Sequence, residues 1–169
     1  HLFHQPLNAN LVNQLFSLDR QHGPSWALQS KLLSNEPNRL EDALKAAIHA
    51  VALGEPEWIL KADLLMQLDR FDEAILSLQS VLDIDPDNGL VRAHLSLLHM
   101  LDDNNEVARK ILVESSPKAW ECSEMHIQKG RLVLGEADIA RDGTGLHDRG
   151  LIKGALTFFD TALSYDRES

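Results

Sequence analysis

The chain has 169 residues, 44% of them hydrophobic and 25% charged, and carries a formal net charge of −10. That is enough apolar material to bury a core, while the acidic balance repels phosphate backbones, argues against nucleic acid as a general partner and suits a basic protein surface. Cys122 is the only cysteine and aromatic residues reach only 5%, which excludes an intrachain disulfide and a thiolate zinc site and favours helix over sheet.

No stretch approaches the roughly 18 consecutive apolar residues needed to span a bilayer, and no secretory leader is visible. These features and the single cysteine favour a cytoplasmic setting without membrane insertion. The chain starts at His1 rather than Met, which is expected of a processed product or of part of a longer protein.

In chain order, the first segment is Pro6 to Arg20, with apolar residues at Leu7, Leu11, Leu15, Phe16 and Leu18. It is expected to form one helix within a capping segment, 1–23, that covers the first repeat. Four prolines then set a rhythm. Pro24, Pro56, Pro86 and Pro117 are separated by 32, 30 and 31 residues, and Trp26, Trp58 and Trp120 follow three of them. A near-constant period of this size marks a repeated supersecondary unit.

The first unit starts at Pro24-Ser25-Trp26 and closes through LEDALKAAIHAVALGEP, with Ala43 and Ala47 as small contact residues and a turn lengthened by Pro37-Asn38. The clearest unit runs from Glu55 to Pro86. Its first half places Trp58, Ile59, Ala62, Leu65, Met66 and Leu68 at helical spacing, and its second half does so with Phe71, Ala74, Ile75, Leu78, Val81 and Leu82. Asp69-Arg70 breaks the two, and Asp-Pro-Asp-Asn-Gly at 85–89 ends the second. The spacing predicts two helices of about 14 residues in an αα-hairpin.

The third unit starts at Gly89, with Leu95, Ser96 and Ala108 in place, Arg92 where a Trp is expected, and a short second helix from Glu106 to Glu114. The fourth opens at Trp120 and runs through Ile127, Leu132 and Leu134 towards Ile139. A polar, Gly-rich stretch at 140–150 precedes its second helix, Leu151 to Tyr165, which carries Ala155, Phe159 and Ala162.

Trp58, Ala62, Leu65, Ala74, Leu78 and Pro86, with the turn Phe71-Asp72-Glu73-Ala74, resemble the tetratricopeptide repeat family; Lys61 and Val81 depart from its pattern. The resemblance implies an all-α fold, a right-handed superhelical stack of antiparallel helix hairpins. About four hairpins are expected over 24–166, with an insertion at 140–150. It also implies a concave face lined by the first helix of each hairpin. Ile59, Asp63, Met66 and Gln67 fall there from one repeat, and Ala93, Leu97, Met100 and Leu101 from the next. That face suits an apolar or basic peptide or helix, with Met100 as an adaptable central side chain. The same stripe would equally serve to pack against the fourth hairpin. Family members that clamp acidic tails use Lys and Asn, where this chain has Ile59 and Asp63, and a carboxylate repels such a tail.

Chemical motifs point elsewhere. His94 and His99 are five residues apart and do not share a helix face as a zinc pair does. Asp83 to His94 resembles a calcium loop but has Asn88 where Gly is needed and His94 in place of the final Glu. Gly143-Thr144-Gly145 follows a helix and lacks a phosphate-binding Lys. Cys122, beside Trp120 and Met125, is expected to be a small core residue. No catalytic residue, metal ligand or cofactor is assigned. The expected function is a protein–protein interaction module, a scaffold or adaptor, and not an enzyme. The alternative is a regulatory or substrate-docking domain of a larger enzyme.

Overall fold

The computed structural model describes residues 21–139 and 149–168. The expected capping helix, Pro6 to Arg20, and all but 149–150 of the insertion at 140–150 lie outside them. Among the described residues there are eight α-helices and no strand. They are α1 (Gly23–Leu33), α2 (Leu40–Ala52), α3 (Trp58–Gln67), α4 (Phe71–Leu82), α5 (Gly89–Leu101), α6 (Asn105–Val113), α7 (Ser123–Ile139) and α8 (Arg149–Glu168). The chain divides into two compact units, 1–77 and 78–169.

In the first unit, α1 and α2 form an antiparallel hairpin. Small side chains bring them together: Ser25, Ala27 and Ser30 are buried from α1, and Ala43, Ala46, Ala47 and Ala50 from α2. A hydroxyl so deeply buried needs a partner, and Ser30 Oγ donates across the hairpin to the Ala43 carbonyl at 2.9 Å. Trp26 lies against His49, with ring centroids 4.6 Å apart. Pro37–Arg39 form a 3-10 turn between the helices, as the added Pro-Asn suggests. Gly54 ends α2 at φ +92°, while the Glu55 amide bonds back to the Ala50 carbonyl, a left-handed cap that glycine makes without strain. Helix α3 then packs on α2, and Lys31 pairs with Glu57 at 2.6 Å. Helices α3 and α4 span 10 and 12 residues, shorter than the 14 expected, because the turns at both ends take up residues of the apolar pattern.

In the second unit, Asn88 caps α5, its Oδ1 accepting from the Val91 amide at 3.1 Å. This places the calcium-like segment as a helix end and a capped helix start. Arg92, in the position of the expected Trp, donates from Nε to the Pro86 carbonyl at 2.7 Å and so ties the helix to the turn before it. A Cβ on Gly89 would collide with the Ala119 carbonyl and lie 2.7 Å from Cys122 Cβ. The segment before α7 therefore rests on the start of α5. This has a consequence for Trp120, expected to open the fourth helix. It sits instead in a 3-10 turn, Ala119–Glu121, and α7 begins at Ser123. Ala93, Leu112, Met125 and Leu132 form the core here, with Met100, Trp120 and Cys122 packed against it. Helix α8 lies along α7, with Ala155 and Ala162 buried and the Phe159 ring filling the space above Gly130. His126 joins the two ends of this hairpin: its Nε2 is 2.9 Å from the Trp120 carbonyl, and its ring stacks on Tyr165 at 5.4 Å.

Candidate functional site

Helices α5, α6 and α7 of the second unit enclose a hollow of about 400 Å³. Its apolar wall comes from Leu97, Met100 and Leu101 on α5 and Leu132 on α7. These α5 residues share a face because they fall three and four positions apart. Its polar side comes from Asn105, Glu106 and Arg109 on α6 and Arg131 and Glu136 on α7. Arg109 Nη1 pairs with Glu136 at 2.8 Å, and Nη2 stands 3.7 Å from Glu106. Arg109 Nε is buried and has no hydrogen-bond partner among the described residues. At Gly135 the hollow is open, since a Cβ built there meets nothing within 4 Å.

The eight residues expected to line a binding face fall out differently. Ile59, Asp63 and Met66 are half-buried and Gln67 exposed, all on α3 in the first unit. In the second unit, Leu97, Met100 and Leu101 line the hollow, and Leu101 is 58% exposed. Ala93 is fully buried in the core beneath them, so it shapes the wall without being available to a partner. Met100 does both, touching the core and the hollow. The periodicity of α5 identified the apolar wall. It carried no information on Arg109, Arg131 or Glu136, which come from other helices; the Glu106–Arg109 spacing of three residues was the one local sign of a paired charge there.

Other chemically notable groups are placed in structural settings. Burial, reinforced by the Glu124 carboxylate, pushes the Cys122 thiol up to about 11, and its Sγ donates to Glu124 at 2.9 Å. His94 Nδ1 lies 3.0 Å from the Leu90 carbonyl within its own helix. Among the described residues no three His, Cys, Asp or Glu side chains are grouped to hold a metal ion, and no helix is long and apolar enough to cross a membrane.

One solved structure, described as the crystal structure of MamA protein, is similar to this chain over 93% of its length and 80% of that protein's. The sequences are 14% identical and the TM-score is 0.59. The fold is a tetratricopeptide-like helical repeat. No family model matches the sequence, and the search of curated proteins found no match. At this identity the likeness concerns the path of the chain, and the hollow's side chains are this protein's own.

Proposed function

We propose that the protein is an interaction module whose second unit receives the apolar face of a partner helix in the hollow between α5, α6 and α7. The observation that carries this reading is the hollow itself: an apolar wall of Leu97, Met100, Leu101 and Leu132 facing Arg109, Arg131, Glu106 and Glu136. Apolar walls with a few placed charges suit an amphipathic helix, which buries leucines on the wall and offers carboxylates and amines to the rim. The expectation of a basic partner rested on the net charge of −10, but the hollow has two cations and two anions. The preferred partner is therefore amphipathic, with charges of both signs.

The test is selection of helical peptides from a displayed library, followed by anisotropy titration of the best binder. Gly135→Leu fills the open end of the hollow, and Leu101→Glu charges its exposed wall. Both are expected to weaken binding at least tenfold, consistent with truncating or blocking an interface anchor, while helicity by circular dichroism is unchanged. Full-strength binding by both variants would sink the reading.

A further inference from the structure

Asn88–Gly89 is the one Asn-Gly pair in the chain, and such a pair reacts with itself. Glycine has no side chain to keep its nitrogen away from the asparagine carboxamide. The Gly89 nitrogen attacks Asn88 Cγ and gives up its proton. The Cγ–Nδ2 bond breaks, and Nδ2 leaves with that proton as ammonia. Water then opens the resulting succinimide ring. Opening at one carbonyl leaves aspartate; opening at the other leaves isoaspartate, which carries an extra carbon in the main chain.

The fold nevertheless requires both residues. No side chain fits at 89, where a Cβ would collide with the Ala119 carbonyl and lie 2.7 Å from Cys122 Cβ. At 88 the carboxamide is used at both ends. Its Oδ1 accepts from the Val91 amide and its Nδ2 donates to the Asp85 carboxylate, each at 3.1 Å. An aspartate would keep the first bond but set its charge against Asp85.

The same arrangement keeps the pair from reacting. Ring closure needs the Gly89 nitrogen on the same side of the Cα–C bond as Asn88 Cβ. At the observed ψ of 94° it is turned to the opposite side, and the two hydrogen bonds hold the carboxamide where it is. Reaction requires Asn88 to rotate and release both Val91 and Asp85, which undoes the first turn of α5 beneath the 119–122 segment.

We infer that Asn88–Gly89 is a site of spontaneous deamidation that the fold holds shut, and that its conversion to isoaspartate is a one-way change that unseats the 119–122 segment from α5. The added main-chain carbon displaces Gly89 from the Ala119 carbonyl, and the new carboxylate faces Asp85 where the Nδ2 donor stood. Neither change reverses when the turn closes again.

Peptide mass mapping of the intact chain, kept in mildly alkaline buffer with and without urea, tests this through the mass gain of an amide becoming an acid. Asn88 is expected to convert faster than any other asparagine in the unfolded chain. In the folded chain its conversion should be at least about tenfold slower, because only the opened fraction reacts. Asp85→Ala, which frees Nδ2, should speed conversion of the folded chain severalfold at unchanged helicity. In the isoaspartate form, separated from the parent by chromatography, Cys122 loses its packing against Gly89 and should react severalfold faster with a disulfide reagent. Equal rates with and without urea, or an Asp85→Ala rate equal to that of the wild type, overturn the shielding of the site. A Cys122 rate unchanged by conversion overturns the unseating.

Discussion

Asp69 and Asp103 adopt the same left-handed backbone conformation, φ 58° and 56°, at the same turn of two successive hairpins. After each, the next amide bonds back to the helix it leaves: Arg70 to the Leu65 carbonyl at 2.9 Å, and Asn104 to the His99 carbonyl at 2.7 Å. A side chain with a Cβ is strained in that conformation, Asp less than most. Asp69→Gly and Asp103→Gly should therefore each stabilise the protein by about 0.5 kcal/mol, the relief of strain exceeding the added freedom of the unfolded chain. Urea unfolding measures it. A loss of stability in both would mean that the carboxylates hold these turns by contacts of their own.

The regularity of such turns explains how much of the fold is legible from residues alone. Pro56, Pro86 and Pro117 stand between helices because proline cannot continue one, Pro24 sits in the first turn of α1 where proline is tolerated, and Ala62, Ala74 and Ala108 mark helix contacts because only small side chains fit there. Trp120 is different. Its helical spacing is genuine, but Gly89 admits the 119–122 segment so closely that a tight turn replaces the first helical turn. That is a contact between residues some thirty positions apart, invisible to a local pattern. The hollow divides along the same line. Leu97 and Leu101 are predictable from the period of α5, whereas the Arg109–Glu136 pair joins two helices whose register depends on packing. Ala93 carries its own sign, since a small residue on a first helix belongs at a helix contact rather than on a binding face.

Two glycines should respond unequally to the same substitution. A Cβ at Gly130 would come within 2.7 Å of the Phe159 ring, an end of a side chain that can turn aside. A Cβ at Gly89 would meet the Ala119 backbone carbonyl, which cannot move without shifting the whole turn before α7. Alanine improves helix propensity by up to about 1 kcal/mol at either site, while overpacking costs about 1–3 kcal/mol. Gly130→Ala is expected to lower stability by about 1 kcal/mol and Gly89→Ala by at least about 2 kcal/mol. Thermal unfolding ranks them, and the reverse order would contradict the seating of 119–122 on α5.

Cys122 should be a slow thiol. The thiolate is the reactive form, and a group that titrates at about 11 is almost wholly protonated at pH 8. Reaction with a disulfide reagent at pH 8 is expected to be at least tenfold slower than that of the same thiol in the unfolded chain. Cys122→Ala should change stability by about 1 kcal/mol through lost packing. Equal rates in folded and unfolded protein would refute the buried setting.

His99 gives the protein a pH dependence of predictable sign. Burial lowers its pKa from the ordinary 6.5, with Asp102 opposing the shift, and its Nδ1 is enclosed without a partner among the described residues. The unfolded chain, in which the imidazole is free, binds a proton at a higher pH than the folded one. Below about pH 6.5 the proton therefore favours the unfolded state, and stability falls as pH drops through the folded value; above 6.5 both states are neutral there and the contribution is constant. The chain has seven other histidines, so the total slope is not informative. The difference is: His99→Gln, neutral at every pH, should lose less stability than the wild type between pH 7 and pH 5. Thermal unfolding of the two proteins across that range decides it, and parallel curves would mean that His99 takes up its proton as easily folded as unfolded.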